Sequence, residues 1–85
     1  MDTPTLTLQI LTPEGTAFDG PATAVFLPGV KGRFEVLNMH APLISSLCEG
    51  DIRWRTPQNE MAIHIKSGVA RVTDNTITVC AQPGQ

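Results

Sequence analysis

Val69 to Thr73 (VARVT), then Asp74-Asn75, then Thr76 to Ala81 (TITVCA) form the stretch of sequence that decides the fold. Apolar and polar residues largely alternate in both runs and β-branched residues are frequent, which is typical of strands with one buried face. Asp and Asn can adopt the positive φ angles that a two-residue hairpin needs. This stretch therefore predicts a β-hairpin.

The same alternation continues outward from this hairpin. Thr56-Pro57-Gln58-Asn59 suits a turn with Pro at its second position, and Ser67-Gly68 suits a tight turn. The second half therefore predicts a four-strand meander. The predicted strands, in chain order, are Thr5 to Leu11, Ala22 to Leu27, Phe34 to Leu37, Leu43 to Cys48, Ile52 to Arg55, Met61 to Lys66, Val69 to Thr73 and Thr76 to Ala81.

Helices are disfavoured by the distribution of Gly and Pro. No window of about twelve residues lacks both while keeping an apolar stripe with helical period. Short strands joined by turn residues indicate two sheets that cover each other's apolar faces. We predict an all-β fold, a two-sheet β-sandwich with no long helix, in a single domain over residues 1–85.

Composition excludes several classes of protein. With 85 residues, 41% hydrophobic and 16% charged, the chain can build one core and is not disordered by composition. Six Lys and Arg against eight Asp and Glu give a net charge of -2, which disfavours nucleic acid as a partner. No apolar run is long enough to span a membrane, and the start of the chain shows no secretory signal. We expect a cytosolic protein with reduced thiols.

The motifs of catalysis and cofactor binding are missing. Ser67-Gly68 is not part of a GxSxG elbow, and Gly29 to Gly32 lacks the spacing of a phosphate-binding loop. Four side chains could in principle bind zinc, but no close ligand pair starts a site; they are His40, His64, Cys48 and Cys80. We expect no enzyme activity, no metal and no cofactor, and both cysteines to be inert thiols in the core or half-buried.

The cations follow a pattern of their own. Five of them occupy alternating positions that face outward in the predicted meander: Arg53, Arg55, His64, Lys66 and Arg71. This row of cations is either a solvated sheet face or a docking surface for an acidic partner. Lys31 and Arg33 flank Gly32 and predict a second basic site at a loop tip.

Several short motifs follow one another in a specific order and spacing. They are Thr12-Pro13-Glu14-Gly15, Leu27-Pro28-Gly29, Gly32-x-Phe34, Val36-Leu37, His40-Ala41-Pro42-Leu43-Ile44, Gly68 to Val72 and Asn75 to Ala81. In this order, from Leu6 to Ala81, the sequence resembles the N-terminal domain of the epsilon subunit of bacterial F-type ATP synthases.

The resemblance implies a ten-stranded β-sandwich that works as a non-catalytic rotor part of the central stalk. Such a domain holds the gamma subunit with one surface and the polar loops of the membrane-embedded c-ring with another. It thereby couples ion-driven rotation to ATP synthesis in other subunits. The implied location is the cytoplasmic face of the bacterial inner membrane, as a peripheral subunit without transmembrane insertion or cofactor.

The resemblance also assigns candidate site residues. The c-ring-facing loop corresponds to Lys31, Gly32 and Arg33, and the gamma-facing segment to His40, Ala41 and Pro42, with Ser45. For His40 two roles stay open: a structural histidine that closes its turn through a backbone hydrogen bond, or a direct interface contact.

Three departures from the family pattern bear on this assignment. The family usually continues into a two-helix C-terminal hairpin that can brake ATP hydrolysis and in some members binds ATP, and neither property can be carried over to a sequence that stops at Gln85. The family often has acidic residues near Arg33, whereas this tip carries Lys31 and Arg33. We therefore expect the facing c-ring loop to be less basic than usual or to carry a carboxylate, because like charges would otherwise oppose each other. Asn38-Met39 replaces the usual Pro-Gly and alters the turn before His40.

Two other classes of function compete with the rotor role. One is a free-standing β-sandwich adaptor that binds another acidic protein. The other is a small hydrolase or metal protein that uses the His and Cys residues, which the missing motifs disfavour.

Overall fold

The computed structural model describes residues 4–84, and the regular elements in this range are all strands. They are β1 (Leu6–Thr12), β2 (Gly15–Ala22), β3 (Ala24–Gly29), β4 (Gly32–Leu37), β5 (Leu43–Leu47), β6 (Gly50–Arg55), β7 (Glu60–Thr73) and β8 (Thr76–Pro83). The predicted all-β sandwich is confirmed, with eight strands instead of about ten. Residues 1–3 lie outside the described range, so the expectation of no secretory signal stays a prediction.

The strands form one continuous hydrogen-bonded path that folds over itself. Its order is β2-β1-β8-β7-β5-β3-β4, and β6 pairs with both β3 and β7. The strands β7, β6, β3 and β5 therefore form a closed circuit, in which β3 and β5 meet only where Gly29 pairs with Leu47. All neighbours are antiparallel except β1 and β8, which run parallel.

The strand β7 corrects the predicted meander. Its 14 residues run through Ser67-Gly68 without a turn. Where β7 pairs with β8, Ile65 faces Pro83 and Ser67 faces Gln82, so Lys66 is an extra residue in a β-bulge. Before the bulge, odd-numbered residues such as Ile65 point inward, whereas after it even-numbered residues such as Ala70 do. That change of phase resembles a turn between two strands, which is why the sequence pattern predicted one.

The strand β2 was missed by the sequence pattern. It contains Gly20 and Pro21 and pairs only with β1, at the edge of the sheet. Edge positions tolerate Gly and Pro because the outer backbone groups need no partner strand.

The core consists of the inward-facing residues of both layers. The alternation in β1 and β8 is confirmed: Leu8, Ile10, Ile77 and Val79 are fully buried. Trp54 of β6 is 3% exposed, and its ring packs against Phe18 of β2 with the centroids 4.9 Å apart. Aromatic pairs of this tilted kind add stability beyond the area they bury, and this pair joins the two layers.

The predicted hairpin at Asp74-Asn75 is confirmed, with φ angles of 51° and 57°. Asn75 also joins three separate segments. Its Oδ1 accepts the Met39 N–H at 2.7 Å, and its Nδ2 donates to Thr5 O at 3.2 Å and to Asn38 Oδ1 at 2.9 Å. The turn therefore links the start of β1 to the loop between β4 and β5.

Candidate functional site

The β3–β4 hairpin carries the basic tip predicted from the sequence. Its two-residue turn is Val30-Lys31, and the Val30 N–H donates to Ser46 O at 3.0 Å, which fixes the tip against the end of β5. Gly32 adopts a φ of 127°, a conformation that favours glycine. Arg33 Nη2 donates to Asp51 O on β6 at 3.0 Å. Of the two cations, Lys31 therefore stays at the exposed tip, whereas the guanidinium of Arg33 lies against β6.

The segment His40-Ala41-Pro42 lies at the opposite end of β4. The His40 N–H donates to Leu37 O at 3.1 Å, and His40 Nδ1 lies 2.7 Å from Ala41 O. These contacts close the turn after β4, and Ala41 and Pro42 are exposed beside it. The length of β4 separates this segment from the basic tip.

Ser45 does not join the His40 segment. It lies in the middle of β5, where it pairs with the buried Ala70 of β7, and its Oγ donates to Ser46 O at 3.2 Å. Ser45 lines an open cleft of about 440 Å³ beside the β3–β4 hairpin. The structure therefore brings Ser45 together with Lys31, Gly32 and Arg33.

Two exposed apolar side chains near these sites were not singled out from the sequence. Met39 and Ile44 are each 74% exposed. Ile44 pairs with Arg71 and lies diagonally across from Val69, which is 47% exposed. The signal for Ile44 was its position between Leu43 and Leu47, since alternation puts it on the face opposite to Leu47.

The predicted row of cations divides between two faces. Arg53, Arg55 and His64 line an open cleft of about 770 Å³ on the outer face of β6 and the first half of β7, together with carboxylates. Arg55 Nε lies 3.1 Å from Glu60 Oε2, and its guanidinium lies 5.2 Å from the centre of the Phe26 ring. This face has mixed charge, so it does not form the basic surface that an acidic partner would need.

Arg71 is exposed, as predicted, but it lies apart from the other cations. It belongs to the second half of β7, which pairs with β5 and β8 instead of β6. It therefore lies beside Val69 and Cys80, on the outer face of β7 and β8.

His64 is held between two carboxylates. Its Nδ1 lies 2.8 Å from Asp51 Oδ1, and its Nε2 lies 3.3 Å from Glu49 Oε2. The hydrogen bond that His64 donates to Asp51, and then the one it donates to Glu49, raises the pKa of His64, and the hydrogen bond from His64 lowers the pKa of Asp51. Because the carboxylates approach opposite ring nitrogens, they do not converge on one point, and residues 4–84 contain no group of three His, Cys, Asp or Glu side chains placed to hold a metal ion.

Both cysteines are exposed free thiols, which corrects the prediction that they are buried or half-buried. In β8 the inward residues are Ile77, Val79 and Ala81, so Cys80 points outward. Cys48 follows the end of β5, and its thiol donates to Pro28 O at 3.4 Å.

Within residues 4–84, no helix is long and apolar enough to cross a membrane.

Comparison with known proteins connects this fold to one family. Residues 5–83 match the family described as the ATP synthase, Delta/Epsilon chain, beta-sandwich domain. The ATP synthase epsilon chain of Synechococcus elongatus is 39% identical over 74 residues, which cover 87% of this chain and 54% of that protein. The chain thus spans about half the length of this relative.

Two solved structures share the fold at low sequence identity. A chain in the cryo-EM structure of the central stalk and c-ring of the Tetrahymena thermophila mitochondrial ATP synthase gives a TM-score of 0.77 at 16% identity, and the match covers 96% of this chain and 66% of that chain. A chain of the Euglena gracilis mitochondrial ATP synthase gives 0.84 at 19% identity, with coverage of 98% and 56%. Since the family match extends over nearly all of the eight-stranded sandwich, the chain belongs to the ATP synthase delta/epsilon chain family, whose beta-sandwich domain it contains.

Proposed function

We propose that this chain acts as the sandwich of an epsilon subunit in the central stalk of a rotary ATP synthase. Its role is mechanical and non-catalytic: it couples the gamma subunit to the c-ring during ion-driven ATP synthesis. In this role it is a peripheral protein at the cytoplasmic face of a bacterial inner membrane. The observation that carries the proposal is the family match over residues 5–83.

The architecture supports a mechanical role. The closed circuit of β7, β6, β3 and β5 joins the two layers through backbone hydrogen bonds in addition to core packing. A densely packed core of this kind transmits strain instead of deforming. A domain that turns with the stalk needs such stiffness.

We assign the two partner surfaces to opposite ends of β4. The basic tip, Lys31 to Arg33, faces the polar loops of the c-ring, and the segment His40 to Pro42 faces the gamma subunit. The position of Ser45 beside the basic tip favours moving this residue from the gamma-facing set to the c-ring-facing set. Since Lys31 is exposed at the very tip, the facing c-ring loop should carry a carboxylate or be less basic than usual.

The proposal is tested by co-expressing the chain with the gamma subunit of the same organism and passing the mixture over a sizing column. Co-elution as a stoichiometric complex is the expected result. Separate elution at micromolar concentration, with both proteins folded by circular dichroism, would contradict the proposal and favour a free-standing adaptor.

A further inference from the structure

Met39 has a backbone conformation that its side chain does not favour. Its φ angle is 64°, in the left-handed region, where a residue with a Cβ atom is sterically hindered and glycine is not. Asp74 and Asn75 also have positive φ angles, but their residue types tolerate this conformation through local hydrogen bonds. Methionine has no such compensation.

The fold does not explain why a methionine occupies this position. Its backbone N–H donates to Asn75 Oδ1 at 2.7 Å, and glycine would make the same hydrogen bond. The side chain is 74% exposed, so it contributes little burial to the stability of the domain. Strained backbone positions that do not add to the stability of the fold are concentrated at functional sites.

The surroundings of Met39 indicate which surface would receive it. Residues 36–48 contain no Asp, Glu, Lys or Arg, and Leu37, two positions before Met39, is 50% exposed. An uncharged segment with exposed apolar side chains fits an apolar surface. Met39 also directly precedes His40 to Pro42, the segment assigned above to the gamma subunit.

We propose that Met39 is an apolar anchor, whose side chain enters an apolar pocket on the gamma subunit. This inference rests on the proposed function and adds the residue that supplies contact area to that surface. The long, unbranched thioether side chain adapts to an irregular pocket. The fold tolerates the strained backbone because the Asn75 side chain holds the Met39 N–H.

The test measures the affinity of the gamma subunit of the same organism for the full chain and three variants. Met39→Gly removes the side chain and relieves the backbone strain, and Met39→Ala removes the side chain but keeps the strain. Met61→Ala is the matched control, because Met61 is also exposed (41%) but lies on β7. Thermal melting of each variant is measured in parallel.

Both Met39 variants should weaken binding by about tenfold or more, which is the effect of exposing one buried methionine side chain. Met39→Gly should nevertheless melt at or above the temperature of the wild type, which no structural role of the side chain predicts. Wild-type affinity in Met39→Gly, or an equal loss in Met61→Ala, would overturn the anchor while leaving the rotor function intact. Absence of binding by the wild type would overturn both.

Discussion

Replacing Asn75 should separate two contributions of this residue to the stability of the domain, its side-chain hydrogen bonds and its tolerance of a positive φ angle. The residue combines a φ angle of 57° with three side-chain hydrogen bonds, to Met39 N, Thr5 O and Asn38 Oδ1. Asn75→Gly keeps the backbone conformation and removes the three bonds. Asn75→Ala removes the same bonds but keeps a Cβ atom at positive φ, without the local hydrogen bonds through which Asn tolerates that conformation.

The magnitudes follow from the contacts. A hydrogen bond contributes a net ~1 kcal/mol, and the Asn38 amide can turn to water, so Asn75→Gly should lower the free energy of unfolding by about 2 kcal/mol. Asn75→Ala should lower it by a further ~1 kcal/mol. For a domain of this size, a loss of about 2 kcal/mol lowers the melting temperature by roughly 10 °C.

The assay is urea unfolding followed by tryptophan fluorescence. Trp54 is the single tryptophan of the chain and is 3% exposed, so its emission reports the loss of the core. Asp74→Gly is the matched control, because Asp74 lies in the same turn with a φ of 51° but is exposed. If Asn75→Gly unfolds at the same urea concentration as Asp74→Gly, the linking role of the Asn75 side chain is refuted.

Three further predictions concern other parts of the domain. Because the pKa of His64 is raised, its ion pairs stabilise the fold fully below pH 6.5, and this contribution is lost as pH rises through the raised pKa. Because the pKa of Asp51 is lowered, its contribution is fully present above pH 3.8 and is lost as pH falls through the lowered pKa. The urea midpoint of His64→Gln should therefore differ most from that of the wild type between pH 3.8 and 6.5, and a constant difference at all pH values would contradict this. Gly29→Ala should lower the free energy of unfolding in urea by about 1–3 kcal/mol, since its Cβ would lie 2.7 Å from a backbone oxygen; an unchanged urea midpoint would refute the close contact. Cys48 and Cys80 should both react with a thiol reagent in the native protein, and reaction only after denaturation would refute their exposure.

Local chemistry was sufficient to predict some elements of this fold. The hairpin at Asp74-Asn75 was predictable because both residues tolerate positive φ and alternating runs flank them. The buried faces of β1 and β8 were predictable for the same reason, since alternation identifies the side chains that point inward. A pattern of this kind needs no knowledge of distant segments.

Other features depend on contacts between distant segments. A bulge and a turn produce the same change of phase, so the sequence could not distinguish the continuous β7 from two strands joined at Ser67-Gly68. The position of Ser45 beside the basic tip depends on the contact of β5 with β3, where Gly29 pairs with Leu47 and the Val30 N–H donates to Ser46 O. The left-handed conformation of Met39 follows from its hydrogen bond to Asn75, 36 residues later.

The bulge at Lys66 constrains how this gene can change in length. Deleting the Lys66 codon would remove the bulge and leave Gly68, Ala70 and Val72 facing inward, because Gly68 would then lie two positions after Ile65. Deleting the Val69 codon would instead turn Arg71 toward the core in place of Ala70 and Val72, which buries an arginine and exposes a valine although no core residue is substituted. Selection should therefore tolerate the loss of one residue at the bulge and eliminate such a loss in the regular strand after it, so the bulge marks the place where the length of β7 can vary in evolution.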